Sequence, residues 1–392
     1  MQTVPAITAI KAAHPSLTLD LLCPAHLSQI GRLLPGIATV LEWDGLAWRQ
    51  QAQAAGTGLE PEHLYEADRL VSLLSPQRYD RAYVLNQHPH ALLAGALLAG
   101  ETVGPKREGP LGGQLTPWAA YIREVAITGK GRQVHLADAF SGLCGVQPAW
   151  HSAFMRRPAS ALPGDLDEIG RSDGLWVGLI VGAGDMERVV PLETWRQWIV
   201  RFLEQDPRGR VVLIGQERER GVQLLDAVPP SMLGRLWDAT GRTSLTELAE
   251  VVTRCHRVIG SDTGPLHLAA ALNVPVIGWY FARARVHQTG PYGPGHLIWQ
   301  AEGVKRETFN VKLEREDLRR IASPGTRHVA PVHWPIEETV QALEQGEPQQ
   351  APGWTVWTSH CDRWGAYYTE ARHNPIPPHE RETLWQGMCS AV

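Results

Sequence analysis

Short apolar runs alternate with helical patterns along the first half of the chain. Apolar residues recur at helical spacing over residues 4–13, with Thr3 in the position of an N-cap and Pro5 in the first turn. An apolar run at 17–23 then predicts a buried strand. The order repeats, with helices predicted at 25–34, 61–74 and after His90, and strands at 38–43 and 81–86. This alternation predicts a parallel α/β sheet.

A second alternation of the same kind follows residues 161–174, a stretch rich in proline, glycine and acidic residues that has the composition of an interdomain linker. Strands are predicted at 175–181, 210–215, 257–261 and 274–280, and helices at 192–203, 218–227, 244–252 and 264–272. We therefore expect two Rossmann-like domains, residues 1–165 and 166–325, followed by a tail at 326–392.

The tail is rich in tryptophan. The last sixty residues hold five of the fifteen tryptophans, namely Trp334, Trp354, Trp357, Trp364 and Trp385. Because such large apolar side chains are usually buried, we expect the tail to pack against the rest of the chain.

Composition and charge exclude several classes of protein. The net charge of −4 gives no long-range positive field of the kind that nonspecific nucleic-acid binders carry. The longest strongly apolar stretch, 91–100, has about half the length of a bilayer-spanning helix. No secretory signal is visible, and the five cysteines form no CxxC pair, which fits neither a disulfide framework nor a zinc site. We expect a cytoplasmic protein with at most peripheral contact to the inner face of the inner membrane.

The most informative segment is GSDTGPLHLAAALNVPVIGWY, residues 260–280. A strand is predicted to end just before Asp262, Asp262 and Thr263 can cap the next helix, and Gly264 allows close approach of a ligand. His267 falls on the first helical turn, where free amides and the positive end of the helix dipole favour a phosphate. The alternative is that Asp262 or Thr263 is only a cap and His267 an ordinary surface or core histidine.

A glycine-rich turn follows the strand predicted at 175–181. The amides of Gly182, Ala183 and Gly184 can cradle a second phosphate oxygen, and Arg188 adds a cation. Most turns of this kind only connect a strand to a helix, so the turn alone is weak evidence.

The loop after the next predicted strand carries two glutamates. Glu217 or Glu219 could bind ribose hydroxyls, although either could equally be solvated surface. All three loops lie at the carboxyl ends of parallel strands, where open α/β sheets bind their ligands.

The second half resembles a known family. The residues that carry the resemblance are Asp262-Thr263-Gly264-x-x-His267-x-Ala269-Ala270-Ala271-Leu272-x-x-Pro275, the Gly182-Ala183-Gly184 turn with Pro191, Thr243-Ser244-Leu245 before a helix, and Gly290-Pro291-Tyr292-Gly293. This pattern is similar to that of glycosyltransferase family 9, the ADP-heptose:lipopolysaccharide heptosyltransferases. The resemblance is strong in the second half and weak in the first.

The resemblance implies a GT-B fold, in which two Rossmann-like domains face a cleft and the C-terminal tail packs back on the first domain. It implies an inverting glycosyltransferase of lipopolysaccharide biosynthesis that moves a heptose from an ADP-sugar on the second domain to a glycan on the first, with no metal and no cofactor. The donor site would comprise Gly182, Ala183, Gly184, Arg188, Glu217, Glu219, Thr243, Ser244, Asp262, Thr263, Gly264, Pro265 and His267. A family lysine corresponds to Arg188 and a family tryptophan to Val190, which leaves the identity of the donor open.

Other functions remain open on the same fold. They are a catalytically silent nucleotide-sugar-binding protein, an epimerase of a nucleotide sugar, and a heptosyltransferase that modifies protein. A modest basic excess would suit an anionic or lipid-linked glycan acceptor; it consists of Lys106, Arg107, Arg123, Lys130 and Arg132.

The catalytic base is the weakest part of the resemblance. In the family the proposed base is an aspartate in a Gly-Asp loop after a first strand, and matching the segments places it immediately before Met1. We therefore expect that the sheet of the first domain lacks its first strand and that Met1 is an internal methionine. The alternative is that this branch has lost the base or uses His88 or His90, which follow the strand predicted at 81–86 but could be ordinary loop histidines.

Two apparent metal motifs are predicted not to bind metal. Asp165-Leu166-Asp167 has the spacing used by metal-dependent sugar transferases, but it lies in the linker and not at the end of a strand. The tail holds a second candidate set with only two cysteines, consisting of His360, Cys361, His373 and Cys389.

Overall fold

The computed structural model describes residues 1–43, 79–86, 89–104, 107–108, 114–128, 134–152, 154–282, 284–301, 333–371 and 373–390. The helix predicted at 61–74 lies outside these residues, as do His88, Lys106, Lys130 and Arg132.

In its described residues the first half contains the strands predicted at 17–23, 38–43 and 81–86, together with strands and helices that were not predicted. Its strands are β1 (Leu19–Cys23), β2 (Ile37–Glu42), β3 (Tyr79–Tyr83), β4 (Ala99–Val103), β5 (Arg107–Glu108) and β6 (Gln114–Leu115). Its helices are α1 (Val4–Ala13), α2 (Ser28–Gly31), α3 (Pro89–Leu98), α4 (Pro117–Thr128) and α5 (Leu136–Leu143). Among the described residues, β1 pairs with β2 and β3 with β4 in parallel, and β5 pairs with β6 antiparallel.

Two local predictions in this half are wrong. The helix predicted at 25–34 is a 3-10 turn followed by the single turn of α2, which ends at Gly31, a poor helix former, just before Pro35. Thr3 occupies the N-cap position of α1, but its backbone is helical and its side chain makes no capping bond. A capping hydroxyl needs an extended backbone to reach the helical amides.

The second half and the tail together form one eight-stranded sheet. The strands of the second half are β7 (Trp176–Ile180), β8 (Arg210–Ile214), β9 (Leu236–Asp238), β10 (Arg257–Ser261), β11 (Val276–Tyr280) and β12 (Leu297–Ala301). Its helices are α6 (Leu192–Gln205), α7 (Arg218–Ala227), α8 (Leu245–Thr253), α9 (Gly264–Ala271) and α10 (Val286–Thr289). The tail contributes α11 (Ile336–Gln345), β13 (Trp354–Asp362), β14 (Gly365–Glu370) and α12 (Pro378–Ser390).

The order of the strands places a crevice at the middle of this sheet. The order is β14-β13-β12-β11-β10-β7-β8-β9, with β7 to β12 parallel and the β13–β14 hairpin antiparallel. The chain runs from β7 towards β9 on one side, then returns to place β10 on the other side of β7. A reversal of this kind opens a ligand-binding crevice at the carboxyl ends of the two central strands.

Both faces of the sheet are covered, which explains the continuous apolar runs in its central strands. Every residue of β7 and β11 is buried. On one face α6 packs its tryptophans against the sheet, and Trp195 stacks on Trp279 with ring centroids 4.6 Å apart. On the other face Val4 and Ile7 of α1 share a hydrophobic cluster with α8 and α9. The beginning of α1 is thereby held beside α9.

The tail reaches both halves of the chain. Its hairpin extends the sheet of the second half, and α11 packs on α6, where the Trp198 indole donates a 3.1 Å hydrogen bond to Thr339 Oγ1. Its last helix returns to the first half, with the Trp385 and Trp118 rings 4.6 Å apart. No helix among the described residues is long and apolar enough to cross a bilayer.

Candidate active site

The glycine-rich turn and the Asp262 loop meet at the central crevice. The turn at 182–184 follows β7, and Asp262 follows β10, the strand beside β7. The carboxyl ends of these neighbouring strands lie at the same edge of the sheet. The glycine-rich turn and the Asp262 loop, which were predicted to form one site, are therefore adjacent in the fold.

Asp262 lies at the centre of a buried hydrogen-bond cluster. One carboxylate oxygen, Oδ1, lies 2.9 Å from His267 Nε2, and the other, Oδ2, accepts a 2.9 Å hydrogen bond from Thr289 Oγ1 and a 3.4 Å bond from Arg188 Nη1. Tyr280 Oη lies 3.4 Å from Oδ1. Burial raises the pKa of Asp262, but the hydrogen bonds from His267 and Thr289 and the charge of Arg188 bring it below its ordinary value. Asp262 is therefore an ionised carboxylate at neutral pH.

The charge of Asp262 defines its role in the site. A buried carboxylate repels a diphosphate, and its oxygens already accept hydrogen bonds from protein groups. Asp262 is placed to orient the donors around it, while its direct contact with a ligand stays a prediction.

His267 occupies the first turn of α9 as predicted. Its Nε2 atom faces the Asp262 carboxylate, which as an acceptor fixes the proton on that nitrogen. Among the described residues no protein partner is found for Nδ1, and the side chain is 13% exposed. The pair therefore leaves Nδ1 for a ligand in the crevice, and this nitrogen donates to a phosphate oxygen when the ring carries both protons.

At the N-terminus of α9 the Leu266 amide donates to the Thr263 carbonyl at 3.2 Å, and among the described residues no acceptor is found for the Gly264 amide. Thr263 is the N-cap residue with an extended backbone, but its hydroxyl donates to the Ser261 carbonyl at 3.2 Å and does not cap the helix. Pro265 lies in the first turn, where its missing N–H costs no helical hydrogen bond. A Cβ on Gly264 would meet no protein atom within 4 Å, so the space beside it is open to a ligand.

Arg188 joins the glycine-rich loop to the Asp262 loop. It ends the 3-10 turn Met186–Arg188, and its Nη1 donates a 2.7 Å hydrogen bond to the Asp262 carbonyl as well as contacting the carboxylate. Its side chain remains 31% exposed. This geometry leaves a guanidinium in the crevice beside the α9 amides.

Arg220 was not singled out by the sequence, yet it holds both ends of the glycine-rich loop. Its Nε donates to the Val181 carbonyl at 2.8 Å, and its Nη2 to the Val190 carbonyl at 2.7 Å. Burial lowers its pKa from the ordinary arginine value, although it remains charged. An arginine in an amphipathic helix predicts solvent exposure, so no sequence signal pointed to these two carbonyls.

Glu217 and Glu219 are separated by the fold. The carboxylate of Glu217 lies against Gly182, where a Cβ would collide with it. Glu219 is exposed in the first turn of α7. The structure thus brings Glu217 to the crevice and leaves Glu219 on the surface.

Ser244 has a structural role in addition to any ligand contact. It caps α8 through a reciprocal capping box with Glu247, and Thr243 precedes it in a half-buried position. The Gly241 amide donates to the Gly215 carbonyl at 2.9 Å, which ties this loop to the Glu217 loop.

The first half faces this site through the beginning of α1. A small cavity beside His267 is lined by Met1 and Gln2, which precede α1, by Val4 and Pro5 of α1, and by Ala271 and Tyr292. His88 lies outside the described residues, and His90 lies in the first turn of α3 with its side chain outside the description. Neither base candidate is tested by this geometry.

The carboxylates of the Asp165-Leu166-Asp167 motif form ion pairs with arginine side chains. Asp165 forms an ion pair with Arg242, and Asp167 with Arg171 and Arg254. The residues that the structure describes contain no cluster of metal-ligating side chains.

A family model and several known proteins match this chain. The model of glycosyltransferase family 9 (heptosyltransferase) matches residues 69–314. Lipooligosaccharide heptosyltransferase 2 of Haemophilus influenzae is 31% identical over 72 residues, which are 18% of this chain and 21% of that protein. The matched segment therefore spans about a fifth of the length of this relative.

Solved structures resemble the chain over most of its length. The Escherichia coli heptosyltransferase WaaC with ADP has a TM-score of 0.57 at 18% identity and covers 82% of this chain and 94% of its own. The glycosyl transferase family 9 structure from Veillonella parvula has a TM-score of 0.58 at 15% identity and covers 88% and 92%. At these identities the likeness concerns the fold, and the predicted GT-B fold is confirmed.

Proposed function

Because this chain belongs to glycosyltransferase family 9, we propose that it transfers a heptose from an ADP-sugar to a hydroxyl of a lipopolysaccharide core-like glycan. The reaction inverts the anomeric centre and needs no metal ion. The ADP-sugar is a substrate, and no further cofactor takes part.

The arrangement of Asp262, His267 and Arg188 at the start of α9 is the observation that carries this proposal. A diphosphate in the crevice would meet the Gly264 amide at the start of α9, the Arg188 guanidinium and, when the His267 ring carries both protons, its Nδ1–H group. These groups supply the positive field that a divalent cation supplies in metal-dependent transferases. Glu217 lies at the neighbouring loop, at the place suited to a ribose hydroxyl.

The chemical step follows from this placement. A base takes the proton of the acceptor hydroxyl while that oxygen attacks the anomeric carbon from the side opposite the diphosphate. The bond from the anomeric carbon to the phosphate oxygen breaks, and its electron pair leaves with ADP. The amides of α9, His267 and Arg188 stabilise the charge that develops on the leaving group, and one such contact is worth about 2.7–4 kcal/mol if it acts like an oxyanion-hole donor.

Turnover of ADP-heptose tests the proposal. The protein is incubated with ADP-heptose and lipopolysaccharide core oligosaccharides in excess chelator, and ADP release and the mass of the oligosaccharide are followed. We expect ADP release that depends on the acceptor and an added heptose with inverted linkage. The surface variant Arg196→Ala on α6 should match the parent, whereas His267→Ala should lose most of the rate.

Three other outcomes would overturn the proposal. ADP release without a glycosylated product indicates hydrolysis, a changed sugar still attached to ADP indicates an epimerase, and binding without any reaction over a broad acceptor panel indicates a silent binding protein.

A further inference from the structure

Thr289 lies outside the sequence signature but makes direct contact with it. It is the last residue of α10, and its Oγ1 atom lies 2.9 Å from Asp262 Oδ2 and 3.4 Å from the Arg285 carbonyl. A hydroxyl has one proton to donate, and the shorter contact to the charged acceptor takes it. Thr289 therefore donates to the carboxylate that orients His267.

The backbone of Thr289 is itself held from two sides. The fully buried Tyr280 donates its hydroxyl proton to the Thr289 carbonyl at 2.8 Å, which is closer than its 3.4 Å contact with Asp262. On the other side, the next carbonyl, that of Gly290, lies 2.9 Å from His135 Nε2 in the first half.

His135 is fixed as a donor in this contact. Its Nδ1 atom accepts a 3.1 Å hydrogen bond from the Ala137 amide, so the ring proton lies on Nε2 and points at the Gly290 carbonyl. Burial lowers the pKa of His135 to about 4, which keeps the ring neutral at physiological pH. The segment at Thr289 is therefore clamped between β11 and the N-terminus of α5.

We infer that Thr289 is a positioning residue of the donor site, which holds the Asp262 carboxylate against Nε2 of His267 and so orients the ring that, when it carries both protons, presents its Nδ1–H group to the diphosphate. The inference rests on the proposed function. His267 Nε2 and Thr289 Oγ1 bind different oxygens of Asp262, so the two contacts together fix the rotation of the carboxylate. Arg188 Nη1 also reaches Oδ2, at 3.4 Å, so Thr289 supplies the shorter of the two contacts to that oxygen.

This role is tested by replacing Thr289 with valine, which has the same shape but no hydroxyl. Thr289→Val should weaken ADP binding about tenfold, because a hydrogen bond to a buried charge is lost. Thr289→Ser should restore the affinity. Thr253→Val is the matched control, since Thr253 Oγ1 bonds only a carbonyl of its own helix, and it should leave ADP binding unchanged.

The pH dependence of ADP binding separates positioning from a general loss of stability. The charged and titratable groups that face Asp262 are His267, Arg188 and Tyr280, and the Thr289 hydroxyl is a neutral donor to it. Because the hydroxyl stabilises the ionised carboxylate, its removal raises the pKa of Asp262. The loss of ADP affinity at acidic pH should therefore begin at a higher pH in Thr289→Val than in the parent or in Thr289→Ser.

A combined variant completes the test. In the His267→Ala background, Thr289→Val should change ADP affinity by less than about twofold, because its effect passes through His267. The inference fails if the parent binds ADP, His267→Ala weakens that binding and Thr289→Val does not, or if the two losses add. Absence of ADP binding in the parent would instead overturn the proposed function itself.

Discussion

At the scale of single residues, the site is organised by one buried carboxylate and its partners. An ionised side chain that is 8% exposed is costly unless each oxygen is paired. Asp262 meets this condition through His267 on the adjoining α9 and through two residues from distant segments, Arg188 on the glycine-rich loop and Thr289 on α10. The arrangement holds the Arg188 guanidinium and the His267 ring beside the crevice.

Removing the guanidinium that bridges the two loops should weaken the donor site. Arg188→Ala deletes a charge next to the expected diphosphate and a 2.7 Å bond to the Asp262 carbonyl, so ADP affinity should fall about tenfold. Arg188→Lys keeps the charge but not the planar fork, and an intermediate affinity is expected. Titration calorimetry measures both. Equal affinities in the parent and Arg188→Ala would exclude this arginine from the site.

The sequence predicted some residues of this cluster and missed others. Asp262, His267 and Arg188 were predicted because they follow strands and match a spaced pattern. Thr289 and Tyr280 were missed because their contacts with Asp262 span 27 and 18 residues, and nothing in their local sequence distinguishes them from ordinary helix and strand residues.

At the scale of elements, the glycine-rich loop contacts side chains from the beginning of α7. Arg220 binds the carbonyls at both ends of the loop, and Glu217 lies against Gly182. A Cβ at position 182 would therefore have to displace the end of the Glu217 side chain.

A single added methyl group tests this packing. Gly182→Ala places a Cβ onto the Glu217 carboxylate, so we expect lower thermal stability and weaker ADP binding. Adding Glu217→Ala removes the collision and should recover most of the lost stability. If the double variant is as unstable as the sum of the single variants, as judged by thermal unfolding, Glu217 does not define the space at Gly182.

Most elements of the second half were predicted, because the central strands are buried on both faces. Short apolar runs such as β7 and β11 are typical of such strands, and α6 carries a clear apolar stripe. The strands β9 and β12 and the helix α10 were not predicted. The β13–β14 hairpin was missed. Its buried tryptophan and valine alternate with polar residues, and its partner β12 lies far away in the sequence.

At the scale of the whole molecule, a buried junction joins the first half, the second half and the tail. Asp138 of α5 accepts hydrogen bonds from Tyr292 Oη at 2.6 Å and from the Ala366 amide of β14 at 2.7 Å. These three segments meet at one fully buried carboxyl group. The protonation of Asp138 therefore affects the stability of this junction.

Stability should depend on pH through this carboxyl group. Burial raises the pKa of Asp138 to about 7, against the opposing effect of the two hydrogen bonds and the charge of Arg381. Between the unfolded pKa and about 7 only the folded state holds the proton, so the contribution of Asp138 to the free energy of unfolding falls as pH rises. Asp138→Asn should thus gain stability relative to the parent as pH increases over this interval.

The test compares Asp138→Asn with the parent, because two buried histidines change the free energy of unfolding with pH in the opposite direction. Burial lowers the pKa of both His135 and His296 to about 4, so their contribution is lost as pH falls. Both proteins are unfolded in urea across the same pH range. The histidine contributions are the same in each, so they cancel in the difference between the two unfolding free energies. A difference in unfolding free energy that stays constant with pH would contradict the assignment.

The central claim is that the loops after β7 and β10 form a diphosphate site that works without a metal ion. The most direct measurement is calorimetric titration of ADP, in excess chelator, into the parent protein and His267→Ala. The account predicts that the parent binds ADP under these conditions and that His267→Ala binds at least about tenfold more weakly. Binding that disappears in chelator and returns with magnesium, or equal affinity in the two proteins, would contradict it.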